Sequence, residues 1–240
     1  MVKTTLINIQ SQNLGYSIRR YFVDEFHFRH VAEIASGSRV LDLGGHKTRK
    51  RGQFNIEHYD LRIFYSNLSA DKGTDVQADA EVAPFKDDCF DAVICSELLE
   101  HVADPIAVLQ EINRVLRQHG TLLICAPFLY RIHGDPYDYC RYTDQYWQKK
   151  LAKIGFENIQ IRRHGLFWSV WVDMIRELVY QLRKEGLPKL VPLQRAVDAL
   201  VGWGLRHALK RDSQTTSVRY LFFSSYTTGF GIKAIKSVTI

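Results

Sequence analysis

From Arg39 onward, short apolar and β-branched runs alternate with stretches of helical periodicity. Residues 39–43, 61–66, 75–78, 91–95, 121–126 and 157–161 read as strands. Between the fourth and fifth lies a helix marked at both ends. Asp104 serves as its N-cap, Pro105 takes the first helical position, Ile106, Leu109, Ile112 and Leu116 form one stripe, and Gly120 ends it. Strand and helix repeated in this way predict a parallel sheet with helices on both faces. Residues 16–34 form a helix ahead of the first strand, with Tyr21, Phe22, Phe26 and Phe28 as a packing face.

The alternation breaks over residues 164–212. Two long helical patterns, 166–182 and 193–210, flank Gly186-Leu187-Pro188, and 227–235 again reads as a strand. The expected organisation is a single domain over 1–240. A helical segment occupies 1–36, an α/β core 37–163, a helical insertion 164–212 and a final-strand region 213–240. No internal repeat and no low-complexity tract interrupts it.

Composition narrows the class without changing that picture. With 46% hydrophobic and 24% charged side chains, 15 glycines and 4 cysteines, the chain can bury a core. Collagen-like, disulfide-scaffold and disordered classes are excluded. Cys89, Cys95, Cys125 and Cys140 show no metal-ligand spacing and are expected as reduced thiols. The opening Met-Val-Lys-Thr-Thr lacks a secretory apolar core, and no run reaches the length of a membrane span. The expected location is the cytoplasm.

Charge matters once it is located. The net +6 divides into 19 basic and 21 acidic side chains over 1–159, and 13 basic and 5 acidic over 160–240. The core is therefore −2 and the remainder +8, so any anionic partner belongs to the insertion and last strand. No nucleic-acid-binding module is apparent, which argues against RNA. A basic amphipathic surface over 164–212 suits peripheral contact with an anionic membrane or a lipid-linked diphosphate. A pocket cap or a dimer contact is its plainer use, and the chain is expected as a monomer or homodimer.

The candidate chemistry begins where the first strand ends in Val40-Leu41-Asp42-Leu43-Gly44-Gly45-His46. Glycines at a strand's carboxyl end make a sharp turn where open α/β sheets bind ligands. Further along come Asp79-Ala80-Glu81, Ala83-Pro84-Phe85, Phe90-Asp91-Ala92-Val93 and Leu99-Glu100-His101-Val102. This ordered series resembles the class I S-adenosylmethionine-dependent methyltransferases, over roughly residues 35–165 and the last strand. The resemblance implies a Rossmann-like doubly wound α/β fold, with a seven-strand sheet that is mostly parallel and a last strand that runs antiparallel.

The resemblance also assigns roles. Asp42, Gly44 and Gly45 would meet the methionine part of S-adenosylmethionine. Asn67, or Ser69 if the register slips, stands where the family usually has Asp or Glu and would meet the ribose. Asp79 and the Ala80 N–H would read the adenine, and Ser96, Glu97 and His101 would line the site. His46 and Thr48 stand where the family has glycines, so the turn departs from the pattern and His46 is placed among the cofactor-binding residues. Glu97, Glu100 and His101, at i, i+3 and i+4, would share one face of a helix. A divalent cation could sit there, although the expected site has no metal.

The fifth strand runs into Arg131-Ile132-His133-Gly134-Asp135-Pro136-Tyr137-Asp138-Tyr139-Cys140-Arg141-Tyr142-Thr143. This pattern resembles methyltransferases found with surface-polysaccharide and glycolipid synthesis, and so implies a hydroxyl acceptor in glycan biosynthesis. His133 is the candidate base, with Asp135 or Asp138 orienting it, and Tyr137 and Arg141 shaping the acceptor pocket. Methylation of RNA, a protein or a quinone-like lipid is the alternative, as is a catalytically silent S-adenosylmethionine-binding protein.

Overall fold

The structure, a computed structural model, describes residues 14–48, 52–134, 136–185, 191–214 and 221–238. In chain order the elements are α1 (Ile18–Val31), β1 (Arg39–Leu43), β2 (Arg62–Asn67), β3 (Val76–Gln77), β4 (Phe90–Ser96), α2 (Pro105–Val115) and β5 (Leu116–Pro127). They continue with α3 (Asp144–Ile154), β6 (Phe156–Arg163), α4 (Phe167–Lys184), α5 (Val191–Gln214), α6 (Leu221–Ser224) and β7 (Gly229–Lys236). The strands form one sheet in the order β3-β2-β1-β4-β5-β7-β6. All neighbours are parallel except β7, which runs antiparallel to β5 and β6. This is the expected Rossmann-like architecture. It brings the carboxyl ends of β1, β2, β4 and β5 to one edge.

The three layers follow from strand period two. Leu41, Leu43, Val93, Cys95, Leu122 and Ile124 face one side, where Leu109 and Ile112 of α2 and Trp147 and Leu151 of α3 cover them. Val40, Ala92, Ile94, Leu123 and Cys125 face the other, under Val23, Phe26 and Val31 of α1. The aromatic face of α1 is thus a packing face: Phe26 is buried, and Phe28 lies edge-on to Phe54. The four cysteines are unpaired, Cys95 and Cys125 buried and Cys89 and Cys140 half-buried.

One expected boundary moves. Helix α2 ends at Val115, and β5 starts at once with Leu116, so Gly120 is a strand residue rather than a terminator. Pairing of β4 with β5 slips between Phe90 and Ala92 at this point, and His119 takes φ +61°. A Cβ on Gly120 would lie 2.8 Å from the Arg117 carbonyl oxygen and 3.2 Å from that of Asp91. Gly120 therefore makes a bulge possible.

Helices α4 and α5 pack against each other between β6 and β7. The expected break at Gly186-Leu187-Pro188 lies outside the described residues. The N-terminus of α4 has no cap of its own. Instead Asp212 of α5 accepts from the N–H groups of Leu166 (2.8 Å), Trp168 (3.2 Å) and Ser169 (3.1 Å). Among the described residues no helix is long and apolar enough to cross a membrane.

Candidate active site at the carboxyl edge of the sheet

The chain leaves β1 through Gly44, which takes φ +80° and donates to the Ser66 carbonyl at 2.7 Å. A Cβ on Gly45 would fall 2.1 Å from Cγ of Asp42, so the Asp42 carboxylate folds over a turn that only glycine permits. His46 follows, with Nδ1 shielded from solvent and no hydrogen-bond partner among the described residues. Lys47 then pairs with Asp75, which also accepts from the Tyr65 N–H at 3.0 Å. Arg49, Lys50 and Arg51, which follow in the chain, lie outside the described residues.

Asn67 ends β2 and reaches back to this turn. Its Nδ2 donates to the Gly44 carbonyl at 2.6 Å, and its Oδ1 accepts from the Ser69 N–H at 3.0 Å. Each end of the amide has a close backbone partner, so Asn67 braces the turn. A carboxylate could not make the first bond, because it has no proton to donate. That accounts for an amide where the resembling family has an acid. Asp79 is exposed just past β3 with its carboxylate on the Glu81 N–H (3.0 Å), and Ala80 beside it is buried.

After β4 the structure departs from the helical face expected for Glu97, Glu100 and His101. The segment is a turn, and Glu97 takes φ +57° while its N–H donates to the Cys125 carbonyl. The Glu97 side chain swings to α1 and pairs with Arg19, which is 5% exposed and lies 4.8 Å from the Tyr130 ring centre. Ser96 Oγ lies 3.3 Å from Nε2 of His27, a buried α1 histidine whose pKa burial pushes down to about 3.

Glu100 is 2% exposed, and neither carboxylate oxygen has a hydrogen-bond partner among the described residues. Burial, then the Glu97 charge, raises its pKa to about 8, against the opposing pull of Arg19. His101 places Nδ1 2.5 Å from the Tyr137 carbonyl, which fixes the proton there and turns Nε2 towards Glu100 Oε1 at 3.7 Å.

The loop after β5 closes the site from above. His133 has Nδ1 3.2 Å from both the Arg131 carbonyl and Asp138 Oδ2, and its N–H donates to that same oxygen at 2.8 Å. Arg141 grips Asp138 through two nitrogens, one of them 2.7 Å from Oδ2, and holds its carboxyl well below the usual carboxylate range. Partial burial lowers the His133 pKa, leaving a neutral imidazole with Nε2 uncommitted to these partners. Its ring stands edge-on to His101 at 5.0 Å.

Thus His133, Asp138 and Arg141 come together as expected. Tyr137 contributes its carbonyl, while its side chain is 61% exposed and packs on Tyr139. Asp135 lies outside the described residues. One donor atom from each of Glu100, His101 and His133 lies within 4.8 Å of the others, a set that could hold a cation. His133 thus stands where the sequence pattern put Glu97.

The pattern reading missed Arg19, His27 and the burial of Glu100. A signal existed on α1: Arg19 shares a stripe with Val23 and Phe26 at helical spacing, so a cation sits on the face that packs.

Residues 49–124 match the family model described as a methyltransferase domain. A ubiquinone/menaquinone biosynthesis C-methyltransferase of Xylella fastidiosa (strain M23) is 32% identical over 130 residues, covering 47% of this chain and 49% of that one. The enzyme of the same description from Shewanella frigidimarina (strain NCIMB 400) is 34% identical over 128 residues, with 45% and 51% covered. The chain spans about half the length of these curated relatives. Among solved structures, a putative sarcosine dimethylglycine methyltransferase from Galdieria sulphuraria superposes with a TM-score of 0.55 at 16% identity, covering 92% of this chain and 86% of that one. The [4+2]-cyclase SpnF gives 0.55 at 18% identity, with 92% and 82% covered.

The fold is the one these solved methyltransferases share, and the segment matched by the family model lies within its sheet core. SpnF shares the fold under the name of a cyclase, so the acceptor chemistry has to be argued from the site.

Proposed function

We propose that the chain transfers a methyl group from S-adenosylmethionine to a hydroxyl of a small-molecule, sugar or glycan-linked acceptor. The observation that carries the hydroxyl reading is the His133–Asp138–Arg141 chain at the end of β5. The cofactor supplies a methyl on a cationic sulfur, already activated towards displacement. The residues around the turn fit it: a glycine turn, an unpartnered His46 Nδ1, the Asp42 acid near the end of β1 to face a cation, and the Asp79 acid just past β3 to accept from an adenine amino group. Asp42 and the Gly44–Gly45 backbone would hold its methionine portion, and Asp79 and Ala80 its adenine.

The protein's own task is alignment and removal of one proton. With the cofactor bound, the methyl carbon would pass from sulfur to the acceptor oxygen, leaving a neutral thioether, and the acceptor's hydroxyl proton would go to Nε2 of His133. Asp138 stabilises the resulting imidazolium through Nδ1. Arg141 keeps Asp138 ionised, so it remains an acceptor throughout. The burial that lowers the His133 pKa keeps it unprotonated, and so competent, at neutral pH.

The relatives favour a second reading, methylation at a ring carbon of a quinone-like lipid. One experiment separates the two. Incubating the protein with carbon-13-methyl-labelled cofactor and panels of nucleotide sugars, polyprenyl-linked sugars and quinone precursors reports the product by its methyl chemical shift. An O-methyl signal from a sugar supports the first reading. A C-methyl product overturns it in favour of the second. Absence of S-adenosylmethionine binding by calorimetry overturns both.

A further inference from the structure

Helix α4 buries polar side chains and exposes apolar ones. Its buried residues are Val170 and Val172 together with Ser169, Asp173 and Arg176, with Arg176 Nε 2.7 Å from Asp173 Oδ1 and Nη1 2.5 Å from the Leu14 carbonyl. Its outer side carries Trp171 (53% exposed), Met174 (66%), Ile175, Leu178 and Leu182. Those positions, at i, i+3, i+4, i+7 and i+11, form one narrow stripe pointing away from the core. On α5, Leu200 and Trp203 are exposed likewise. Farther along its outer surface come Arg206, Lys210 and Arg211, all exposed.

The acids of the two helices are withdrawn from that surface. Asp173 and Asp212 are buried, Glu177 takes Arg131 and Arg176, and Asp198 takes Arg183. What remains outside is a tryptophan-bearing apolar strip next to cations, the composition of a helix that lies in a membrane interface.

We infer that the outer face of α4 and α5 docks on an anionic lipid bilayer, with the apolar side chains at the acyl boundary and the α5 cations over the headgroups. Charge complementarity decides against a second copy of the chain. An isologous contact sets the same patch on both sides, crowding two sets of exposed cations against each other. The docked face also reaches the acceptor loop. Arg131 of that loop bonds Glu177 of α4 at 2.9 Å, and the adjacent Ile132 is 86% exposed. A bilayer seated on α4 therefore lies beside Arg131 and Ile132 of that loop.

The test is flotation of the full chain with vesicles of phosphatidylcholine alone, or with about one-third phosphatidylglycerol. The variants are Met174→Ser with Leu178→Ser, and Arg206→Glu with Lys210→Glu, all at exposed positions. Folding is checked by circular dichroism. Binding should be about tenfold stronger to the anionic vesicles at low salt, since the α5 cations add electrostatic attraction. It should fall with salt, and both double variants should lose it. Protein that stays unbound to anionic vesicles at low salt overturns the inference. So do variants that bind like the parent. A concentration-dependent dimer, abolished by the serine variant and indifferent to vesicles, assigns the face to a second copy instead. Vesicle binding needs no S-adenosylmethionine, so its failure and that of the methyl-transfer reading are seen separately.

Discussion

Replacing Glu100 by Gln should make the protein more stable, by an amount that grows as pH rises from about 4.5 to about 8. The Glu100 side chain is 1% exposed, no described donor reaches it, and Glu97 stands nearby. Its pKa therefore rises from 4.5 to about 8 on folding. A folded value above the unfolded one means the native state keeps a proton that the unfolded chain has released. The associated stability is complete below about pH 4.5, declines as pH rises, and is fully lost above about pH 8. At roughly 1.4 kcal/mol per unit, the swing is on the order of 5 kcal/mol, comparable with the whole stability of many domains. Glutamine cannot ionise, and it keeps an N–H to offer to His101 Nε2. Urea unfolding of both proteins, followed by tryptophan fluorescence from about pH 5 to 9, should give curves that nearly meet at the acid end. They should then diverge, with Glu100→Gln the more stable at the alkaline end. A difference that stays constant across the range, or a variant that is weaker at high pH, refutes the reasoning.

His133→Ala should lower kcat at saturating acceptor by about 10²- to 10⁴-fold, the usual worth of a general base. In the parent, the rate should rise with pH to a plateau reached below the ordinary imidazole range, because burial lowers the His133 pKa. Asn67→Asp, although it restores the resembling family's usual acid, should weaken S-adenosylmethionine affinity measured by calorimetry. It puts an oxygen where Nδ2 now meets the Gly44 carbonyl at 2.6 Å, and should cost about 1–3 kcal/mol in thermal unfolding. Asp212→Ala should cost about 2 kcal/mol by removing the acceptor shared by three N–H groups at the start of α4, whereas Asp212→Asn should retain much of that stability.

The frame of the protein was legible because its signals are local. Strand β1 has the expected bounds of 39–43, and Asp104 caps α2 by accepting from Ile106 and Ala107. Each depends on side chains within a few positions. The errors fall where a distant backbone decides. Gly120 reads as a helix stop in isolation, and becomes a bulge because β4 passes beside it. Residues 97–101 have helical spacing, yet the bond from the Glu97 N–H to the Cys125 carbonyl and the pull of Arg19 open them into a turn. At the site, chemical identity was readable and direction was not. His133, Asp138 and Arg141 meet because they lie close in sequence. The use of Asn67 on the glycine turn needs the β1–β2 pairing to be known first.

The glycine turn itself is spliced to its neighbours before any ligand arrives. Asn67 holds Gly44 at one end, and Lys47 is tied to Asp75 at the other. Fixing a backbone residue costs roughly 1–2 kcal/mol of entropy, and here that loss falls on folding rather than on binding. A ligand entering this edge meets a loop already in position, so its affinity is spent on contacts rather than on ordering the chain. The complementary cost is adaptability: a ligand of different shape would have to pull Asn67 off a carbonyl before the loop could move to receive it.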